Sequence, residues 1–412
     1  MSDVLARLEQ APLEGISPSL PHQQGRMWKD GENIIFHEKS IQPVPGQSLL
    51  FLKPASTIIL GLHERENSSG LKQLFFGNIA NLFSWTATGG VVTEASGFTL
   101  ASQATSSQRQ QFWSMQSWDD WVLATNGKDA PQIKTAASTA FRATTATDRD
   151  FTTADSFATL GDYNIAINTS NGGKVVQWSD TDLPEQFIES DLSNAGRLNI
   201  RELENEIIAS AALGPGIGLY SSDSMSLLTH IGGDLIFARR PLITGLGVVG
   251  KKAVCAVGGL NYGMSFRGLW ETDGNSFTHL DDPEMHDELF SNINLDQVSK
   301  TVVWYEKLLN AVVFFYPSAG VLHNDRAIVF NRTSRLFTKF AFGRSFAVEA
   351  GIFPYGITAD EGGNVYAQSV LGAPSGSGSV SVVATPTVEI QTGYGMLGYG
   401  QLGYGGGYQG DG

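Results

Sequence analysis

The feature that most limits what this chain can fold into is a recurring pair of strand-like runs joined by a turn. Trp121–Thr125 is an apolar run closed by Asn126-Gly127. Residues 163–167 read Tyr-Asn-Ile-Ala-Ile; a turn follows at Asn171-Gly172-Gly173, then a second run over 174–178 that ends at Trp178. The pattern returns at 207–209, at Val254–Val257 and at 301–305. A β-rich run, a Gly or Asn turn and another β-rich run is the signal of a hairpin. The anchors Trp121, Tyr163, Ile208, Val254 and Val302 lie roughly 42 to 48 residues apart, the period of one four-stranded propeller blade. The beat extends outward to Leu74-Phe75-Phe76-Gly77 and to Tyr355 with the run behind it. Seven candidate blades therefore fall between about Ser48 and Val370; the unlike units leave six or eight open. A lone four-stranded sheet cannot cover both of its faces, and stacking such sheets around an axis buries them. The expectation is an all-β chain, a β-propeller over 48–371 with an N-terminal arm over 1–47 and a Gly/Ser/Tyr-rich extension over 372–412.

Composition agrees with that reading. Of 412 residues 42% are hydrophobic, only 17% are charged, and 47 are Gly. Low charge with abundant Gly, Ser, Thr and Asn suits strands and turns better than helical bundles. The net charge is −14, from 27 Lys and Arg against 41 Asp and Glu. Gripping nucleic acid requires cations to neutralise phosphates, so a DNA- or RNA-binding role is disfavoured. The acidic surface suits a protein that must not stick to DNA, or simply solubility. The single cysteine, Cys255, sits in an apolar run and reads as a structural thiol. No apolar stretch is long enough for a membrane helix. The first residues lack the basic region and apolar core of a signal peptide, so synthesis in a cytoplasm is expected.

Three stretches hold helix signals. Residues 3–10 follow Asp3 as a cap and stop before Pro12; 201–206 reads as a helical turn; and 285–290 follows Asp282 as cap and Pro283 at the first position. Residues 49–62, apolar around Pro54, read as an edge strand or hairpin, and 84–109 as outer strands and loops of the first blade. The arm carries Trp28 and Phe36, and the tail repeats Gly-Tyr-Gly-x-Leu around Tyr394, Tyr399 and Tyr404. Aromatic side chains of this kind anchor protein contacts, which makes these five the candidate partner contacts.

Chemistry-bearing motifs are weak. Asp119-Asp120 and Asp281-Asp282 are adjacent carboxylates, but neighbours in a strand face opposite sides, so they read as turn or cap residues rather than a catalytic dyad. His279 and His286 are seven positions apart across a proline, a poor metal spacing. Gly214-Pro215-Gly216-Ile217-Gly218 lacks the Lys-Ser/Thr of a phosphate loop and reads as a blade turn. No catalytic, cofactor or metal site is expected.

Several stretches taken together resemble the tail hub, or nozzle, proteins of short-tailed bacteriophages. Trp28-Lys29-Asp30-Gly31-Glu32-Asn33-Ile34-Ile35-Phe36 is similar to their opening stretch. The stretch at 178–187, Trp-Ser-Asp-Thr-Asp-Leu-Pro-Glu-Gln-Phe, is similar to a Trp-Ser-Asp-x-x-x-Pro-x-x-Phe element of the family. Residues 266–274, then 313–318 and 324–331, resemble its late-blade pattern. The resemblance covers 26–342. It implies a non-enzymatic virion protein, six copies to a ring below the portal and adaptor, continuing the channel for passing genomic DNA and holding a needle or fibres. Many members are longer, and the Gly-Tyr tail has no counterpart in the resemblance. The alternative from the fold alone is a carbohydrate-binding or glycan-cleaving propeller, which would bring carboxylates and aromatics together at the axis.

Overall fold

The computed structural model describes residues 30–368, apart from 38–39, 52–56, 103, 105–107 and 234, together with short strands at Val383–Thr385, Glu389–Gln391 and Met396–Gly398. Two-residue turns set its local geometry. The pairs Trp118↔Trp121, Leu160↔Tyr163, Leu213↔Gly216 and Val257↔Leu260 each leave two residues to reverse the chain. The first turn residue is Asp119, Gly161, Gly214 or Gly258, and all four have positive φ, from 47° to 60°. Only a turn of that hand matches the twist of the flanking strands, so these four positions carry Gly or Asp for a steric reason.

Six antiparallel sheets of four strands result, and a seventh in which four antiparallel strands are widened to six. Their innermost strands are Ile59–Glu66, Ser114–Trp118, Ala154–Leu160, Ala209–Leu213, Val254–Val257, Val302–Glu306 and Phe346–Val348, which define blades 1 to 7. Each innermost strand packs beside the next, and that of blade 7 packs beside that of blade 1. This is a closed seven-bladed propeller. Between the blades lie apolar layers built on Phe75, Phe76 and Trp113, on Tyr220 stacked with Trp270, and on Phe151 with Phe187. Trp113 and Trp270 are fully buried, and each places its indole N–H on a backbone carbonyl, Asn78 O and Gly247 O, at 2.9 Å. A buried indole left without an acceptor would cost about 1–3 kcal/mol.

Blade 7 completes itself with a strand from the other end of the chain. Ser48–Phe51 pairs antiparallel with Val365–Ala367 as its fourth strand. Blade 6 is widened instead. Asp30–Glu32 runs parallel to Phe337–Phe340, with Val383–Thr385 outside it. Asn33, at φ 59°, turns the chain there: its N–H donates to Lys339 O at 2.8 Å and its Oδ1 accepts from Ala341 N at 3.0 Å. The described part of the arm thus packs on the propeller.

The expected beat tracks the blades but not one strand of them. Residues 74–77, Trp121 and Tyr163 lie in second strands, whereas Val254 and Val302 begin innermost ones. The run over 49–62 is not a hairpin: Ser48–Phe51 is an edge strand, of blade 7, and Ile59–Glu66 is the innermost strand of blade 1. Residues 81–86 and 90–96 are the outer strands of blade 1, as expected. No helix forms over 201–206; the segment is a series of turns whose Leu203 and Ile207 plug the layer between blades 3 and 4. The expected helix near 285 is Pro283–Asn292 (α1), capped by Asp282, whose carboxylate accepts from Met285 N at 2.8 Å. A 3-10 turn at Leu295–Lys300 was not foreseen. The stretch 3–10 lies outside the described residues.

Candidate functional site: the axial funnel

All seven innermost strands run the same way along the axis. Segments that lead into them, and turns between second and third strands, therefore share one face. On that face they enclose a funnel of about 770 Å³. Residues 108–111, 153, 206, 248, 249, 251, 295, 296, 298 and 299 come from the leading segments, and Ser170, Ser222 and Phe266 from the turns. The lining mixes amide and hydroxyl side chains with charged and apolar ones, and Phe266 is its aromatic ring among the described residues.

Four of the funnel's charged groups form two pairs, and Asp296 is the fifth. Lys251, nearly buried, donates to Phe112 O at 3.0 Å and to Asp155 O, and pairs with Asp155 Oδ1 at 3.2 Å. Burial draws this ammonium below the usual lysine range, against the pull of Asp155. Arg109 pairs with Glu206 at the rim. Gln110 is held from three sides: its N–H donates to Ser299 Oγ at 3.0 Å, and its amide donates to Ala101 O and Gln111 O. Deeper along the axis, His63 shares a 2.7 Å hydrogen bond with Ser117. Burial, then the charges of Lys252 and Arg65, press its pKa down to about 4, which leaves the ring neutral at physiological pH.

The carboxylates singled out in the sequence are structural. Asp119-Asp120 is the blade 2 turn, and Asp120 accepts from Ser68 N at 2.7 Å and Ser68 Oγ beside Arg65. Those Ser68 hydrogen bonds hold Asp120 below the usual carboxylate range. Asp281 accepts from Leu269 N and from His286 Nδ1, both at 3.0 Å, while burial raises its pKa. Asp282 is the cap of α1. His279 packs edge-on against Phe277. Among the described residues no three His, Cys, Asp or Glu side chains converge as a metal site would require. Gly214-Pro215 is the blade 4 turn, as expected.

Cys255 is half-buried against the core between blades 4 to 6. Burial first, then the nearby Glu349, raises its pKa well above the usual thiol range. A thiol held protonated is a poor nucleophile. In the native protein it will react with a thiol-specific reagent at least about tenfold more slowly than in denaturant. Equal rates, read by release of a chromogenic thiolate, would contradict this environment.

Of the five candidate partner contacts, Trp28, Tyr394, Tyr399 and Tyr404 lie outside the described residues. Phe36 lies in Ile34–His37, paired with Ile41 of the next strand. The opposite face of the propeller carries a surface that sequence reasoning missed. The connection over 179–195 in blade 3 is long yet tightly ordered. Asp180 Oδ1 accepts from Thr181 N and Asn194 N at 2.9 and 2.8 Å, and Trp178 Nε1 donates to Asn194 O at 2.7 Å. Pro184 O accepts from Asn164 Nδ2, also at 2.7 Å, and Phe187 fills the gap between Phe151 and Phe157. This scaffold holds Leu192 at 97% exposure and Leu183 at 46%. The equivalent turn of blade 4 exposes Ile231 and Leu235. The signal available in the sequence was a loop composition, Pro184 among the Asp, Ser and Asn residues of 179–195.

No protein-family model matches the sequence, and no curated protein matches it. Solved structures do resemble the fold. A catalytically inactive variant of virginiamycin B lyase from Staphylococcus aureus, with quinupristin, aligns over 79% of this chain and 99% of its own at 8% identity, TM-score 0.51. The computationally designed protein Ika8 aligns over 87% of this chain and 100% of its own at 9% identity, TM-score 0.47. YCF48 bound to D1 peptide aligns over 80% and 99% at 8% identity, TM-score 0.47. At such identity the likeness concerns the fold.

Proposed function

We propose that this propeller is a non-catalytic structural protein of a bacteriophage tail, a subunit of the hub, or nozzle, ring below the portal and adaptor. The observation that carries the reading is the ordered loop over 179–195. Its framing residues Trp178, Ser179, Asp180, Pro184 and Phe187 are those of the tail-hub resemblance, and they serve to present Leu183 and Leu192 to solvent. Large apolar side chains fixed on a polar surface mark contacts between proteins. The widened edge of blade 6, where Asp30–Glu32 and Val383–Thr385 lie together, brings the arm and the C-terminal extension to a second assembly surface. Engagement of Asp155 by Lys251 and of Glu206 by Arg109 supports a scaffold rather than a hydrolase. A chain of net charge −14 would line a ring with groups that repel the duplex and leave it free to pass.

The test has two arms. Electron micrographs of the purified protein with its neighbouring tail proteins should show rings with a central hole, and Leu183→Ser with Leu192→Ser should reduce ring yield at least about tenfold while leaving the melting temperature within a few degrees. Deleting residues 1–45 should leave a folded propeller that fails to join tails. Micromolar, strongly salt-dependent binding to duplex DNA, or rings unaffected by the double substitution, would overturn the reading. The amide-rich funnel favours a second one, a carbohydrate-binding propeller; cleavage or saturable binding of a bacterial polysaccharide would promote it.

A further inference from the structure

The funnel has two unlike lips. On the side of blades 5 and 6 its edge is apolar: Phe266 is 55% exposed and Leu295 58%. Phe266 sits in the two-residue turn between Ser265 and Gly268. That turn is pinned, because Ser265 Oγ accepts from Arg267 N and donates to Gly268 O, both at 3.1 Å. Leu295 opens the 3-10 turn that leads into blade 6, where Asn294 Oδ1 accepts from Asp296 N at 3.1 Å. Large apolar side chains held on fixed turns, with no core to enter, are surfaces for contact.

On the side of blades 2 to 4 the edge is polar. Arg109 leads into blade 2 and Glu206 into blade 4, and their ion pair joins the two segments. Both side chains stay exposed, so the guanidinium keeps N–H groups and the carboxylate an oxygen for a ligand. Thr153, which leads into blade 3, and Ser170, in a turn of that blade, add hydroxyls to the same side. In a ring of seven blades, blade 2 stands opposite the gap between blades 5 and 6. The polar and apolar lips therefore face each other across the axis.

This arrangement matches an uncharged sugar. A pyranose carries C–H groups on its faces and hydroxyls around its edge, and each hydroxyl both donates and accepts. An aromatic face suits the first; hydroxyl, guanidinium and carboxylate groups suit the second. Charge points the same way. Lys251 is paired with Asp155 and Arg109 with Glu206, while among the described residues no cation pairs with Asp296. An anionic ligand would meet that carboxylate and no free cation. A cationic one would find a single exposed carboxylate, a contact worth little in water. The volume of about 770 Å³ lies within the range of clefts that enclose small molecules and has room for about two or three sugar rings.

We propose that the funnel binds a short uncharged oligosaccharide, one ring stacked on Phe266 beside Leu295 and the hydroxyls of the next on Arg109 and Glu206. This site rests on the carbohydrate reading above, to which it adds a place and a ligand class. It is compatible with a ring of propellers, since each subunit keeps its own funnel.

The experiment is calorimetry of the full chain with maltotriose, cellotriose and tri-N-acetylchitotriose, and with trigalacturonate and deacetylated chitotriose as charged counterparts. At least one uncharged trisaccharide should bind, with an affinity that changes little with salt, and neither charged one should bind more tightly. Phe266→Ala should weaken the bound trisaccharide about tenfold, whereas Phe266→Trp, which keeps a stacking face, should hold or improve it. Arg109→Gln should weaken it by a similar factor. Both positions are exposed, so the melting temperatures should stay close to that of the unmodified protein. Binding that neither Phe266→Ala nor Arg109→Gln weakens would overturn the funnel site and leave the carbohydrate reading standing. So would binding of a long bacterial polysaccharide but of no uncharged trisaccharide. Binding of neither would overturn both, and tighter binding of a charged trisaccharide would overturn the ligand class.

Discussion

A chain that begins at Thr57 will not fold cooperatively, whereas one that begins at Gly46 will. The difference is the closing strand Ser48–Phe51 and the residue before it. Ser48 pairs with Ala367, Leu49 with Tyr366 and Phe51 with Val365. The Phe51 ring then lies 5.2 Å from Phe76 and 5.4 Å from Trp85, so one strand bonds to blade 7 and packs on blade 1. Gln47 is the fastener. Its Oε1 accepts from Arg344 Nη2, and from Gln368 Nε2 at 3.2 Å. Arg344 is only 5% exposed; it also donates to Thr358 Oγ1 at 2.9 Å and to Gly343 O at 2.8 Å, and stacks on Phe342 and Tyr366. Removing residues 47–51 takes one acceptor from a buried guanidinium, for about 1–3 kcal/mol. It also removes a half-buried aromatic that packs on the core, for about 1–2 kcal/mol. With the lost ladder hydrogen bonds, at about 1 kcal/mol each, these take up much of the stability of an ordinary domain, about 5–15 kcal/mol. Urea unfolding followed by tryptophan fluorescence should show a sharp transition for the chain from Gly46 and a broad or absent one for the chain from Thr57. A shared midpoint would mean that the ring closes without this strand.

Gly343→Ala should cost about 3–5 kcal/mol, and Gly247→Ala a comparable amount, because both would force backbone to move. Neither position has the positive φ that favours glycine. Their constraint is proximity. A methyl at Gly343 would lie 1.7 Å from the Asn324 carbonyl oxygen, and one at Gly247 1.9 Å from that of Ser222. The two sites are equivalent, each on a crossover leaving a blade and pressed against the turn between that blade's second and third strands. The turn beside Gly343 cannot give way easily, since Asn324 Nδ2 bonds both Lys300 O and Arg344 O, at 2.8 and 2.9 Å. Gly351→Ala is the control: its methyl would meet the Glu64 carboxylate at an ordinary 3.4 Å. Midpoints for all three from denaturant titration decide the matter, and equal shifts would refute the proximity argument.

Which parts of this architecture can be read from the sequence follows from what is local. The turns at Asn126-Gly127, Asn171-Gly172-Gly173 and Gly214 declare themselves through residues that tolerate positive φ, and with the spacing of the β-rich runs between them the blades could be counted. The cap of α1 at Asp282 with Pro283 is equally local. Strand identity was lost because interior strands such as Ala311–Tyr316 and Gly216–Tyr220 are buried on both faces and show no alternation. The turns over 201–206 imitated a helix because Leu203 and Ile207 are both apolar and both point inward. The pairing of Ser48–Phe51 with blade 7 and of Asp30–Glu32 with blade 6 joins distant parts of the chain, and no local pattern encodes it. The funnel has the same character: Lys251 and Asp155 come from blades 5 and 3. Its faint trace was Lys251-Lys252 before an apolar strand, in a chain with few lysines.

The closing strand also sets a clock for synthesis. Ser48–Phe51 leaves the ribosome early, and Val365–Ala367, to which it pairs, leaves near the end. At a translation rate of about 5–20 residues per second, the interval is roughly 15–60 s. Throughout that time Leu49, Leu50 and Phe51 have no partner strand, and blade 1 offers Phe76 and Trp85 to solvent. Every blade made in the interval can form its own hairpins within microseconds, yet the ring stays open until the last one arrives. The nascent chain must therefore be kept from pairing with its neighbours on the same message, and its production in soluble form will depend on elongation speed and on chaperones that cover apolar strands.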